Sequence, residues 1–277
     1  MTDAADQGNY TGDIQAVRRV SDIIGLFTLR TPRLTVAEAA QRVGLNRTTV
    51  HRYFRSMVAT DLLQRDRDEP SAFVPGPLLL QLGAVAHGTR RVLDVAPPHM
   101  HDLSREVGLT CVLSLWGSTG PVVSMVSEPP QSAILVTVRV GTQLGIESAQ
   151  TRVFLAFAPD HDYAARSLKE LTARDSAQAR RDIATAAATG GCQVELHGGD
   201  GIVAAHGVFD QNGIVAALGI VGTRSVMRGQ SDNDRVGKLR RTALAITEAL
   251  AGTATYHSAL AASAATRTGK KRATRKG

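Results

Sequence analysis

Cysteine is almost missing from this chain: among 277 residues only Cys111 and Cys192 occur. Neither has metal-ligand spacing around it, and two thiols are too few for a disulfide framework, so a stapled secreted scaffold is excluded and buried thiols in a reducing compartment are expected. Long apolar runs are missing too. No stretch comes near the roughly 18 consecutive apolar residues that cross a bilayer, and the segment Met1–Tyr10 is polar rather than signal-like. A soluble, cytoplasmic protein with no membrane partner is the expectation.

Two acid-free stretches are rich in bases. The tail Thr266–Gly277 holds six bases and no acid, whereas residues 13–90 hold eleven bases against seven acids and residues 91–265 hold fifteen against sixteen. Most of the net charge of +7 is therefore carried by a tail without apolar periodicity. A disordered basic segment over 264–277 is predicted, able to add nonspecific phosphate contacts beside a DNA-binding module. The second acid-free stretch is Asn46–Met57. The length allows two modest domains, each with its own core.

Ile14, Val17, Val20, Ile24 and Phe27 recur at helical steps and predict a first helix whose other face carries Arg18 and Arg19. Thr35 stands three residues before Glu38, the spacing of a capping box, and starts a short second helix that stops near Gly44. Asn46 caps a third helix to about Ala59, with Val50, Phe54 and Met57 inward. Two helices joined by a tight turn form a helix-turn-helix. The outer face of the third helix presents Arg47, Thr48, Thr49, His51, Arg52 and Arg55 with no carboxylate to repel phosphate. The residues at the start of such a helix reach base edges, so Arg47, Thr48 and Thr49 are assigned to base readout and Arg52 and Arg55 to the backbone, with His51 suited to either. Leu62–Gln64, a polar run over 65–71, and Phe73-Val74 then predict a two-stranded wing with Arg65 and Arg67 near its tip.

The order of these residues resembles one family. Leu34–Phe54 is similar to the helix-turn-helix block of the IclR-type (isocitrate lyase regulator) bacterial transcription regulators, and Phe73-Val-Pro-Gly-Pro-Leu78 resembles the end of that family's wing. Val92–Gly108 resembles the helix that opens its effector domain, Arg139–Leu144 the approach to its ligand loop, and Val208–Leu218 its late strand pair. The resemblance implies an α+β protein: a winged helix-turn-helix over 13–76, a linker helix over 77–92, and a GAF-like, profilin-like effector-binding domain over 93–263. It also implies a homodimer or dimer of dimers, an operator in double-stranded DNA and a small-molecule effector. Carried over residue by residue, effector contacts fall on Leu144, Ile146, Ser148, Ala149, Val203, Gly219 and Val221, with Arg152 and His206 as further polar candidates. Several residues depart from the family pattern. Gly145 replaces a usual proline, Glu147 a histidine, Gln150-Thr-Arg152 a glycine-rich step, and Gly219 and Val221 stand where serine hydroxyls are common. With fewer hydroxyl donors, the pocket is expected to take an effector bulkier or more apolar than a small carboxylate.

The second half reads the same way from its own residues. Thr110–Trp116, Pro121–Val126 and Ala133–Val138 have strand composition, as do Cys192–Leu196, Ile202–Val208 and Ile214–Val221. Asn212-Gly213 marks a hairpin, a helical middle is predicted from Ser148 to about Ala188, and a single closing helix from about Asp234 to Ala262. Helices beside an antiparallel sheet make an α+β layer.

Other chemistries find little support. His99 and His101 lie two apart on a helix and face different ways, so no metal site is expected. The glycines between Gly198 and Gly201 lack the Lys-Ser/Thr of a phosphate loop, and no nucleophile, base and orienting group can be named together. Neither a cofactor nor catalysis is expected. Two alternatives stay open: a winged-helix module that binds an acidic protein, and a GAF-like enzyme without an identifiable catalytic set.

Overall fold

The computed structural model describes residues 14–130, 136–157, 161–196, 201–227 and 232–273, and the chain divides at His87/Gly88 into two compact units. The first holds α1 (Gln15–Ile24), α2 (Val36–Val43), α3 (Arg47–Ala59) and a small antiparallel sheet. Its strands β1 (Leu34–Thr35), β2 (Leu63–Arg65) and β3 (Ala72–Pro75) run in the order β1-β3-β2.

The local signals act as the sequence indicates. Thr35 Oγ1 accepts from the Glu38 amide at 3.3 Å while Glu38 Oε2 accepts from the Thr35 amide at 2.8 Å, closing the capping box. These bonds hold the exposed Glu38 carboxyl below its usual pKa. Gly44, at φ 68°, ends α2 in the left-handed region that favours glycine, and Asn46 Oδ1 accepts from the Thr49 amide at 2.7 Å to start α3. Ile23, Val50, Phe54, Met57, Leu63 and Phe73 fill the core, with Phe54 edge-on to Phe73 at 4.7 Å.

The expected two-stranded wing is present as β2 paired with β3, and Leu34 pairs with Phe73 to add a third strand. One expectation changes here. Ile14 and Val17 do not face the core; they are 66% and 64% exposed, since α1 enters the core only through Val20, Ile23 and Ile24. Beyond the wing, α4 (Pro77–Gly88) occupies most of the predicted linker and buries none of its residues, leaving Leu80, Leu82 and Val85 exposed.

The second unit opens with α5 (Arg91–Val107), which contains Pro97 and Pro98. Both prolines lack an amide for the helical ladder. The helix persists because Val92, Leu93, Ala96, Met100, Leu103 and Val107 form one buried stripe along it. It packs on a five-stranded antiparallel sheet of β4 (Thr110–Gly117), β5 (Gly120–Ser127), β6 (Gly191–Glu195), β7 (Gly201–Asp210) and β8 (Gly213–Thr223), ordered β5-β4-β8-β7-β6. Helix α10 (Asp232–Ala249) shares that face with α5, while α6 (Ala149–Phe157) covers the other face and α8 (Ala173–Thr189) packs outside it. Both faces being covered, β7 is buried along almost its whole length rather than alternating. Helices α7 (His161–Lys169) and α9 (Arg224–Met227) complete the middle and the exit from β8.

The helical middle is thus three helices. Of the strand expected over 133–138, residues 131–135 lie outside the described residues and 136–138 are not in a strand; the Val136 carbonyl instead accepts from Thr110 Oγ1 at 2.9 Å. The single closing helix is broken into α10 and α11 (Thr253–Ala273). At the break Ala251 has φ 59°, and Gly252 lies so close to the Phe209 carbonyl that a side chain would strike it. Helix α11 extends to Ala273, into the stretch 264–277 expected to be a basic tail, and residues 274–277 lie outside the described residues.

Candidate functional site

In the first unit, Arg47, Thr48, His51, Arg52 and Arg55 are all exposed on one face of α3, opposite Val50, Phe54 and Met57. Thr49 is half-buried and its amide belongs to the cap. The first turn of α3 holds no acid, so the positive end of the helix dipole and Arg47 are left without a local carboxylate. The face extends onto α1. Arg19, half-buried, lines a cleft of about 350 Å³ with Thr49, Arg52, Tyr53 and Ser56, and a neighbouring one of about 380 Å³ with Arg18, Gln15 and Asp22. Tyr53 and Ser56 were not among the sequence candidates, because their place beside Arg19 follows from how α1 docks on α3.

The wing divides its two arginines. Arg65 is not at the tip: it ends β2, where its guanidinium lies 4.9 Å from the centre of the Phe73 ring and donates to the Pro70 carbonyl at 2.7 Å. Arg67 is exposed in the loop between strands, with no bond or ion pair among the described residues. Asp66 accepts from the amides of Asp68 and Glu69 at 2.8 and 3.0 Å, which keeps its pKa low and shapes that loop.

In the second unit, Ala149, Val203 and Val221 are buried in one cluster between α6 and the sheet, with Leu144 packed at its edge. Gly219 lies on the same face; a Cβ there would stand 3.2 Å from Gln150 Cδ. Ser148, buried, accepts from the Gln150 amide at 3.3 Å. Ile146 packs instead with Leu155, Leu168 and Ala179, in a separate cluster. Arg152 is buried and committed: its Nε donates to the Ile146 carbonyl at 2.9 Å and its guanidinium pairs with Asp182.

His206 lies on the opposite face of the sheet from Val203. Its neighbours in register, Ile202, Ala204 and Val208, pack toward α5 and α10, whereas Val203 and Ala205 face α6. His206 Nε2 lies 3.5 Å from the Tyr256 hydroxyl of α11, and burial pushes its pKa down to about 4. The two-residue alternation of a strand, applied from Val203, already separates the two. The cysteines divide as well: Cys111 is buried in the core, its thiol pushed up to about 12 by burial, while Cys192 is half-buried and its Sγ donates to the Ala149 carbonyl at 3.5 Å.

A buried residue absent from the candidate set stands between these groups. Gln150, 3% exposed, reaches from α6 onto the sheet, where its Nε2 shares two N–H groups among three acceptors, the Val112 carbonyl at 3.1 Å, Ser114 Oγ at 3.0 Å and the Ala217 carbonyl at 3.2 Å.

Comparison with known proteins matches both units in chain order. Residues 16–67 match the family model described as the IclR helix-turn-helix domain, and residues 85–248 match the model described as Bacterial transcriptional regulator IclR C-terminal. None of the curated proteins compared with the chain matches it. Among solved structures, an IclR-type regulator from Silicibacter sp. TM1040 superposes with a TM-score of 0.76 at 21% identity, over 86% of this chain and 96% of that one. A transcriptional regulator from Alicyclobacillus acidocaldarius gives 0.68 at 26% identity, over 87% and 100%. An IclR homologue from Microbacterium hydrocarbonoxydans, solved with 4-hydroxybenzoate, gives 0.65 at 20% identity, over 85% and 98%. This chain belongs to the IclR family and is a DNA-binding transcription regulator with an effector-type C-terminal domain.

Proposed function

We propose that α3 enters the major groove of an operator, with Arg47, Thr48 and His51 at base edges and Arg52, Arg55, Arg19 and Arg18 along the phosphates. The observation that carries this is the acid-free exposed face of α3, continued by Arg19 across a shared cleft. A groove-bound helix reads bases near its N-terminus and grips the backbone along its flanks. Arg67 supplies the wing's phosphate contact, whereas Arg65 supports the wing through Phe73 and Pro70.

The protein acts as a homodimer or dimer of dimers in the cytoplasm, on a two-fold operator. The exposed apolar side chains of α4 support self-association, since a helix that buries none of its own leucines needs a partner surface. A small molecule seated between α6 and the β4-β8-β7 face sets operator affinity. Its walls are Ala149, Val203 and Val221. With Arg152 neutralised by Asp182, and Gly219 and Val221 offering no hydroxyl, an effector more apolar than a simple carboxylate is favoured. This function requires no catalysis.

The test is footprinting of the full chain on the DNA around its own gene at physiological salt, with random duplex as competitor. A protected, competitor-resistant, two-fold site that compounds can release is the expected result. Uniform binding to all duplexes, or none, would overturn the operator reading and favour a winged helix that meets an acidic protein.

A further inference from the structure

We propose that Gln150 is the polar contact of the effector site, and that it selects a neutral hydroxyl-bearing compound over a carboxylate. The inference rests on the effector site proposed above and names the chemistry of its ligand. Three acceptors surround the Gln150 Nε2, two of them backbone carbonyls from β4 and β8. That fixes the amide orientation, because exchanging its nitrogen and oxygen would set the side-chain carbonyl against two others. The Oε1 atom is then a buried acceptor that no donor among the described residues reaches, which is uncommon in a folded interior. Beside it, Ser114 Oγ accepts from Nε2, and its own proton has no acceptor among the described residues.

The remaining polar groups nearby are occupied. Thr151 Oγ1 donates to the Leu144 carbonyl at 3.4 Å, Ser148 Oγ accepts from the Gln150 amide, and Arg152 is held by Asp182 and the Ile146 carbonyl. Glu147 folds its exposed carboxylate back over Gly145 in the adjoining loop. What stays open is one acceptor and one hydroxyl donor in an apolar wall. A ligand hydroxyl can donate to the first and accept from the second, whereas a carboxylate presents only acceptors to Oε1 and meets no uncommitted cation among the described residues beside it. Gly219 makes room for this arrangement, its missing Cβ leaving the space on which the Gln150 amide lies.

Three probes of one ring size separate the possibilities: 4-methylphenol, its methyl ether 4-methylanisole, and 4-methylbenzoate, titrated calorimetrically into the full-length protein. The expected result is binding of 4-methylphenol at least tenfold tighter than either of the others. Gln150→Met should equalise 4-methylphenol and 4-methylanisole. Should that variant fail to fold, Gly219→Ala, whose Cβ would stand 3.2 Å from Gln150 Cδ and displace the amide, should weaken 4-methylphenol severalfold and spare the ether. Equal or tighter binding of 4-methylbenzoate, binding of none of the three, or a preference that survives both substitutions would overturn the proposal. Val203→Phe identifies which reading fails. If it abolishes all binding while the preference survives Gln150→Met, only the role of Gln150 is wrong; if the preference also survives Val203→Phe, the ligand sits elsewhere and the effector site itself is misplaced.

Discussion

Replacing Asp182 by alanine strands a buried guanidinium. The side chains of Arg152 and Asp182 are 5% and 13% exposed, and without its partner Arg152 keeps only its bond to the Ile146 carbonyl. Breaking a buried ion pair from one side costs about 3–5 kcal/mol, because the remaining charge is desolvated and unpaired. Asp182 retains some contact with water and a 2.8 Å bond from Gln178 Nε2, which places the cost near the lower end, about 3 kcal/mol. The exposed pair Arg224–Glu195, at 39% and 45%, gives the contrast; breaking it should cost no more than about 1 kcal/mol. Trp116 is the chain's single tryptophan and lies 5.5 Å from Phe154 of α6, so its fluorescence follows unfolding of this unit in urea. The double variant Arg152→Met, Asp182→Leu should recover most of the loss, since a packed apolar pair carries no desolvation penalty. A loss below about 1 kcal/mol for Asp182→Ala, or a double variant as unstable as the single one, would refute this account of the pair.

Three further outcomes are expected. Burial holds His206 at a pKa of about 4 against the usual 6.5, so between those values the unfolded chain binds a proton that the folded one does not. Stability is therefore full above pH 6.5 and falls by roughly 3 kcal/mol as pH descends toward 4, and urea midpoints across that range should lose this slope in His206→Leu. Thr35→Ala removes the side-chain cap of α2 and should cost about 1 kcal/mol, seen as faster hydrogen exchange of the first-turn amides of α2; unchanged exchange would count against the capping box. Gly252→Ala drives a Cβ into the Phe209 carbonyl and should lower the Trp116-monitored midpoint by the equivalent of about 1–3 kcal/mol, while an unchanged midpoint would mean that the α10–α11 break does not depend on that contact.

The first unit was readable because its instructions are local. Thr35 with Glu38, Gly44 and Asn46 each act within a few residues, and each makes the bond that its spacing implies. In the second unit five of the six expected strands and the Asn212-Gly213 hairpin were legible, whereas the strand order, which sets β4 beside β8, was not. What escaped the sequence depends on distant contacts. The break after Ala249 is marked locally only by Gly252, and the close approach of Gly252 to the Phe209 carbonyl, some forty residues earlier in the chain, was not legible. The stripe on α1 was legible but its depth of burial was not, because that depends on where the core ends. At the candidate effector site, strand alternation was available and would have set His206 apart from Val203. The partnership of Arg152 with Asp182, and the reach of Gln150 across Gly219, required the packing of α6 against α8 and the sheet.

The most direct test of the central claim compares Arg47→Ala with Arg52→Ala on a selected operator and on random duplex, at matched salt. If α3 reads bases from its first turn, Arg47→Ala costs about 1–3 kcal/mol on the operator, leaves random duplex nearly unchanged and relaxes the preference at one base step, while Arg52→Ala weakens both duplexes alike. Equal losses on both duplexes for Arg47→Ala would contradict base reading by this helix.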